Sequence, residues 1–148
     1  MADNIQIRRA RTSDGHAICR INGNSLGYTY DEAKTCRNLA KLLASRDVVF
    51  VAELDGGVSG YIHASPYVCT YHDGLVNIMV LAVDACCRRR GLGRRLIDAA
   101  ENWARESGCG GVRLDSGFNR HEAHIFYACC GYAHRKDHKN FIKLFAAP

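Results

Sequence analysis

The residues of this sequence best fitted for chemistry lie in one run, Arg88-Arg89-Arg90-Gly91-Leu92-Gly93, with Arg94-Arg95 directly behind it. The apolar stretch 75–83 leads into the run, and a segment of helical period, 92–107, follows it. Glycines at this spacing let backbone N–H groups close on an anion with no Cβ in the way. A helix start adds its unsatisfied N–H groups and the positive end of its dipole. The arginines in front can screen further charge, so the combination suits a phosphorylated ligand. It is not a Walker A loop, which needs lysine and then Ser/Thr where Arg94-Arg95 stand. A dinucleotide fingerprint fits less well than its spacing to Asp115 implies. Leu96 occupies the third glycine position, and the apolar stretch is not the chain's first strand candidate.

Other reactive side chains combine less readily. The eight cysteines (19, 36, 69, 86, 87, 109, 129, 130) include two adjacent pairs, which suits neither a disulfide framework nor a CxxC motif. Reduced thiols in a cytoplasmic protein are expected. Cys86-Cys87 precede the arginines, where positive charge and a helix start favour a lowered thiol pKa. His121, His124, His134 and His138 lack an H-E-x-x-H arrangement. Cys129 and Cys130, as neighbours on a helix, point about 100° apart. No metal is expected.

The elements that must position the arginine-glycine run follow from periodicity. Residues 5–9 alternate as a first strand, and Thr12 or Ser13 can cap a helix running toward Asn24. A second helix, 31–44, has Asp31 as its N-cap and an inner stripe of Ala33, Cys36, Leu39, Ala40 and Leu43. Residues 48–54 and 58–65 read as a hairpin about Asp55-Gly56-Gly57. Residues 70–74 read as a turn, and 75–83 as the most apolar, central strand. The helix 92–107 places Leu92, Leu96, Ala99, Ala100, Trp103 and Ala104 on one stripe. A short strand at 111–115, a helix at 122–130, and final strands at Tyr132 and 140–145 complete the order. The fold class is α/β, with a mixed central sheet flanked by helices and its later strands joined by right-handed crossovers.

Length and composition bound the remaining classes. The 148 residues are expected to form a single domain, 1–148, that buries about 70% of its unfolded surface. The formal charge is +5, from 20 Lys+Arg against 15 Asp+Glu, with arginine gathered at one locus and not spread as a coat. There is no finger spacing, RNA-binding aromatic signature or basic tail, so nucleic acid is not an expected partner. No stretch approaches the roughly 18 apolar residues of a membrane span, so no membrane partner is expected either.

Arg88-Arg89-Arg90-Gly91-Leu92-Gly93 satisfies Q/R-x-x-G-x-G/A, the signature of the GNAT superfamily of acetyl-CoA-dependent N-acetyltransferases, which the sequence resembles. The resemblance extends through LAVD (81–84), AAENWARESG (99–108) and HEAHIFYACCGY (121–132). It also takes in the hairpin 49–66 and NFIKLF (140–145), roughly 100 of the 148 residues in the right order. It implies a splayed central strand pair and acetyl-CoA as co-substrate. Arg88, Arg89, Arg90, Gly91, Leu92, Gly93 and Arg94 would then serve the pyrophosphate. Leu81, Ala82 and Val83 would offer their backbone to the pantetheine arm, since a strand pushed off its neighbour leaves N–H and C=O groups to satisfy.

In Ala123-His124-Ile125-Phe126-Tyr127 the resemblance makes Tyr127 the general acid at the departing sulfur, where charge develops and needs a proton. Many relatives carry a glutamate base where this chain has Asn77, which cannot take a proton at neutral pH. His72 or Asp73 acting through water, or His63 on the hairpin, would replace it. Arg120 stands at the position where many relatives carry an asparagine and is assigned to the nucleotide phosphates. Tyr28, Tyr30, Asp31 and Tyr67 fall in the family's acceptor region, where aromatics with an acid suit a cationic amine. The implied function is acetyl transfer to a primary amine, of a small molecule ahead of a protein, by direct attack in a ternary complex. A homodimer is compatible with it. The alternative, kept open by Asn77, is a non-catalytic acyl-CoA-binding or sensing module.

Overall fold

A computed structural model describes residues 2–146, which form two compact units, one reaching to Leu114 and the other starting at Asp115. The first contains a five-stranded sheet in the order β1-β2-β3-β4-β5. The strands are β1 (Ile5–Arg9), β2 (Val48–Leu54), β3 (Gly57–Cys69), β4 (His72–Val83) and β5 (Val112–Leu114). The first four run antiparallel to their neighbours, and β5 lies parallel to β4. The fold is therefore the mixed-sheet α/β arrangement expected. β2 and β3 turn through Asp55 (φ 51°) and Gly56 (φ 87°), both left-handed as a two-residue hairpin turn requires.

Helices cover both faces. On one side α3 (Leu92–Glu106) buries Leu92, Leu96, Ile97, Ala100 and Ala104 against the sheet. A Cβ at Gly60 would meet Leu96 Cδ1 at 3.3 Å and the Ala82 carbonyl at 3.1 Å, so α3 lies close because β3 carries a glycine there. On the other side lie α1 (Gly15–Ile21) and α2 (Glu32–Leu43). Ile18, Ile21 and Leu39 join Val49, Val51, Tyr61 and Ala82 in one core cluster there. Gly15 lets the two helices meet, since a Cβ at that position would stand 2.5 Å from Cys36 Sγ.

The structure departs from the sequence reading where tertiary contacts override local pattern. The first helix is broken into a 3₁₀ turn (Thr12–Asp14), α1, and a π turn (Asn22–Leu26) closed by Gly27 at φ +75°. Neither Thr12 nor Ser13 caps it. The buried Asp14 carboxylate does the local work, accepting from Arg11 N at 2.7 Å and from both terminal nitrogens of Arg8. On α2 the inner stripe is Thr35, Cys36, Leu39 and Leu42, with Ala33, Ala40 and Leu43 exposed. Thr35 can be buried because its hydroxyl donates to Asp31 O at 2.9 Å. β3 runs past Pro66 to Cys69 and β4 begins at His72, so 72–74 are strand and not turn.

The second unit contains α4 (His121–Cys129), closed by Gly131 at φ +92°. The final strands expected at Tyr132 and 140–145 are absent among the described residues. Phe141, Ile142, Leu144 and Phe145 are instead more than three-quarters exposed. Apolar composition gives a segment strand propensity, but a strand exists only when a ladder satisfies its backbone, and none forms there.

Candidate active site

β4 and the start of α3 carry candidate site residues of the first unit. β4 pairs with β5 only through Val76, Asn77 and Ile78, and its residues 79–83 run on beyond the end of β5. On its other edge Leu81, Ala82 and Val83 pair with Ile62, Tyr61 and Gly60 of β3. Met79 is the extra residue of a bulge, between the pairs Val80↔His63 and Ile78↔Ala64. The bulge lies on the β3 edge of β4, and the pairing with β5 ends at Ile78.

After β4 the chain makes a 3₁₀ turn (Ala85–Cys87) and reaches Arg89 at φ 64° and Gly91 at φ 85°. Gly91 is the N-cap of α3, and no side chain caps that helix. Gly91 thus brings no side chain of its own to the helix start, where an anion can take that place. Space does not demand the glycine, because a Cβ there would meet nothing within 4 Å; the backbone angle does. The flanking arginines are all exposed. Arg88 donates to Ser25 at 3.4 Å, Arg90 lies 3.8 Å from Asp3, and Arg94 lies 3.3 Å from Asp98.

The expectation of an activated thiol at the bend is overturned. The Asp84 carboxylate accepts from Cys86 Sγ at 3.2 Å, and this bond, with that to Cys87, pushes the Cys86 thiol up to about 11. The neighbouring carboxylate, which the thiol proton bridges, disfavours the thiolate. Burial opposes ionisation of Asp84 itself, yet the bonds from Cys86 and the charge of Arg20 hold its carboxyl below the usual range.

One face of β3 carries Tyr61, His63, Ser65 and Tyr67 in alternation. Tyr61 donates its hydroxyl to Asn22 Oδ1 at 2.5 Å, and burial pushes its pKa up to about 12. His63 Nε2 lies 2.7 Å from Asp47 Oδ2, and Ser65 donates to Asp47 Oδ1 at 2.7 Å. Tyr61 and His63 line a cavity of about 140 Å³ together with Asn22, Tyr30 and Asn38. Asp47 is absent from the sequence reading. It lies 16 residues from His63, and only the β2/β3 register brings the two together.

Further along the same face, Asn77 accepts from Arg113 Nη1 at 2.5 Å, and the guanidinium stands 4.7 Å over the Tyr67 ring. Tyr67 stacks on His72 with centroids 5.6 Å apart, and Tyr71 meets His72 edge-on. His72 Nδ1 lies 2.6 Å from the Asp73 carbonyl. Tyr28 is 65% exposed, and Asp31 is held as the cap of α2, accepting from Lys34 N at 2.8 Å.

In the second unit Tyr127 is half-buried on α4, between Phe126 and Tyr132 at ring centroid distances of 5.3 and 6.0 Å. Burial raises its phenol pKa above the ordinary value, against the charge of Arg120. Arg120 precedes α4 and folds back over Gly117.

Comparison with known proteins gives this geometry a class. A family model for the acetyltransferase (GNAT) domain matches residues 45–134, more than half of the chain. The chain belongs to the GNAT family of acetyltransferases. A stretch of 47 residues is 49% identical to the uncharacterized N-acetyltransferase YhdJ of Bacillus subtilis (strain 168). That match spans 32% of this chain and about a third (33%) of the relative's length. Among solved structures, aminoglycoside N-acetyltransferase AAC(6')-Iy in complex with CoA has a TM-score of 0.84 at 17% identity, covering 97% of each chain. Glucosamine-6-phosphate N-acetyltransferase from Arabidopsis thaliana gives 0.82 at 19% identity, over 94% of this chain and 98% of that one. A transcriptional regulator from Bacillus halodurans C-125 gives 0.81 at 19%, over 96% and 100%. At these identities the likeness is one of fold. No helix among the described residues is long and apolar enough to cross a membrane.

Proposed function

We propose that the chain transfers acetyl from acetyl-CoA to the primary amine of a small molecule, by direct attack in a ternary complex. The observation that carries this reading is the start of α3 behind the left-handed Gly91, at the end of a strand whose last five residues run past β5. The pyrophosphate takes the amides of the turn from Arg89 to Arg94 and the charge of Arg88 and Arg90. The pantetheine arm takes the backbone of Leu81, Ala82 and Val83. Arg120 is assigned to the nucleotide phosphates, and Tyr127, kept protonated by its burial, gives its proton to the departing thiolate.

His63 is the best-supported base. With Nε2–H donated to Asp47, its Nδ1 holds the lone pair, and it pairs across from Val80, one residue beyond the bulge. The amine then loses its proton to Nδ1 as nitrogen attacks the thioester carbonyl, and strand amides polarise that carbonyl. His72 and Asp73, at the start of β4, are the alternative bases, acting through water. They are assigned with Tyr67 to the rim of the acceptor site, and Tyr28, Tyr30 and Asp31 to its opposite side.

The test is thiol release from acetyl-CoA against a panel of aminoglycosides, polyamines, amino acids and short peptides. Amine-dependent release is expected, with kcat reduced about a hundredfold in Tyr127→Phe and in His63→Gln. Asn77, tied to Arg113 and unable to act as a base, favours one second reading, a non-catalytic acyl-CoA-binding module. Tight CoA binding with no release for any amine is the outcome that selects it.

A further inference from the structure

The bend between β4 and the arginine turn gathers three groups of the kind that hold metal ions. Asp84 Oδ1 lies 3.2 Å from Cys86 Sγ, and Cys86 Sγ lies 3.5 Å from Cys87 Sγ. One ligand atom from each of the three residues lies within 4.8 Å of the others, the only such group of His, Cys, Asp and Glu among the described residues.

The local backbone produces this convergence. Asp84 caps the 3₁₀ turn, its side chain accepting from Cys86 N at 3.3 Å and its carbonyl from Cys87 N at 2.8 Å. The tight turn folds both thiols back toward the carboxylate that begins it. The carboxylate is held from outside as well, by Asn24 Nδ2 at 3.4 Å from Oδ1 and by Arg20 Nε at 3.5 Å from Oδ2.

A tetrahedral ion with metal–sulfur bonds of about 2.3 Å and metal–oxygen bonds of about 2.0 Å needs S···S edges near 3.7 Å and S···O edges near 3.5 Å. The edges formed by Cys86 Sγ, at 3.5 and 3.2 Å, fall a few tenths of an ångström short, within reach of small χ1 rotations.

We infer that Asp84, Cys86 and Cys87 form a binding site for one thiophilic divalent cation of the Zn²⁺ class, with a fourth position open to water. Two sulfurs in the set exclude Mg²⁺ and Ca²⁺, which take oxygen ligands. Each thiol releases its proton to solvent as its sulfur bonds the ion, so two S–H bonds are exchanged for two metal–sulfur bonds and nothing is oxidised. Arg20 beside Oδ2 balances the remaining negative charge. The bound ion would fasten the end of β4 to the residue just before Arg88. Histidine spacing does not reveal this site, because its ligands are near neighbours that only the turn converges.

Titration of the reduced full-length protein with Co²⁺ tests the site. One equivalent is expected to bind, with sulfur-to-cobalt charge-transfer absorption and intense tetrahedral ligand-field bands that Zn²⁺ abolishes. Cys86→Ser and Cys87→Ser are each expected to remove most of the charge-transfer band. Asp84→Asn is expected to weaken binding about tenfold, and the Cys129→Ser/Cys130→Ser pair is expected to leave it unchanged. A signal that survives Cys86→Ser/Cys87→Ser, or no signal above that of free cobalt, overturns the assignment. X-ray absorption on the unmutated zinc-loaded protein needs no variant to fold. Two sulfur neighbours support the site, and none or one refutes it.

Discussion

At the scale of the residue, the proposed chemistry rests on protons held in place by burial. Tyr127 has a folded pKa above its ordinary value of about 10 because its phenolate would be desolvated. A raised pKa means the protonated form persists from neutral pH through about pH 10 and is lost only as pH rises through the folded value. The kcat profile of the wild type is therefore expected to show no alkaline loss from this group below about pH 10. Stopped-rate assays across that range check it, and a limb centred lower would remove Tyr127 as the acid. Gly91 is a backbone choice. Alanine at φ +85° meets no clash but costs about 1 kcal/mol of left-handed strain. Gly91→Ala is expected to lower stability by that amount in urea unfolding and to weaken CoA binding severalfold by calorimetry.

At the scale of the element, β1, β2 and the 3₁₀ turn before α1 are fastened by one ionic cluster. Arg8 donates to Asp14 at 2.8 and 2.9 Å and to Glu53 at 2.8 Å, with the Asp14 side chain only 6% exposed. Burial works against the charge of Asp14, but the bonds from Arg8 and Arg11 prevail and its pKa falls below the ordinary value. A depressed carboxylate pKa stabilises the fold at all pH values above its unfolded pKa of about 3.9, and that stability is lost as pH falls through the folded value. Asp14→Asn is expected to cost about 2 kcal/mol at pH 7 by urea unfolding. The gap between variant and wild type should close as pH falls below about 4. A gap that stays constant with pH would show that shape and not charge fastens the turn.

At the scale of the whole molecule, the +5 charge and the five arginines from Arg88 to Arg95 bear on how an anionic coenzyme is drawn in. These side chains are exposed, so their attraction is screened once the Debye length falls from about 14 Å at 0.05 M salt to about 4 Å at 0.5 M. CoA affinity is expected to fall severalfold across that range, mainly through the association rate, while a dephosphorylated pantetheine is affected little. Stopped-flow binding at several salt concentrations checks this. A salt-independent rate would place recognition in the backbone amides alone.

Much of this protein was legible in one dimension because its signals are local. Arg88 to Gly93, the stripe Leu92–Leu96–Ala100–Ala104, the Asp55-Gly56 hairpin and the Asp31 cap each depend on neighbours within a few residues, so period and turn chemistry reveal them. The family resemblance added Tyr127, whose bare spacing says nothing of acid catalysis. What escaped was decided by pairing at long range. His63 finds Asp47 through a strand register, and Asn77 finds Arg113 through a parallel crossover. The first helix breaks because Asp14 is claimed by Arg8. The segment 140–145 has the apolar residues of a strand but forms no ladder among the described residues, and composition does not report that. Sequence fixes what each residue offers over one or two turns; folding alone decides which distant groups satisfy one another, because a buried charge or backbone amide takes whatever partner the packing brings within about 3 Å.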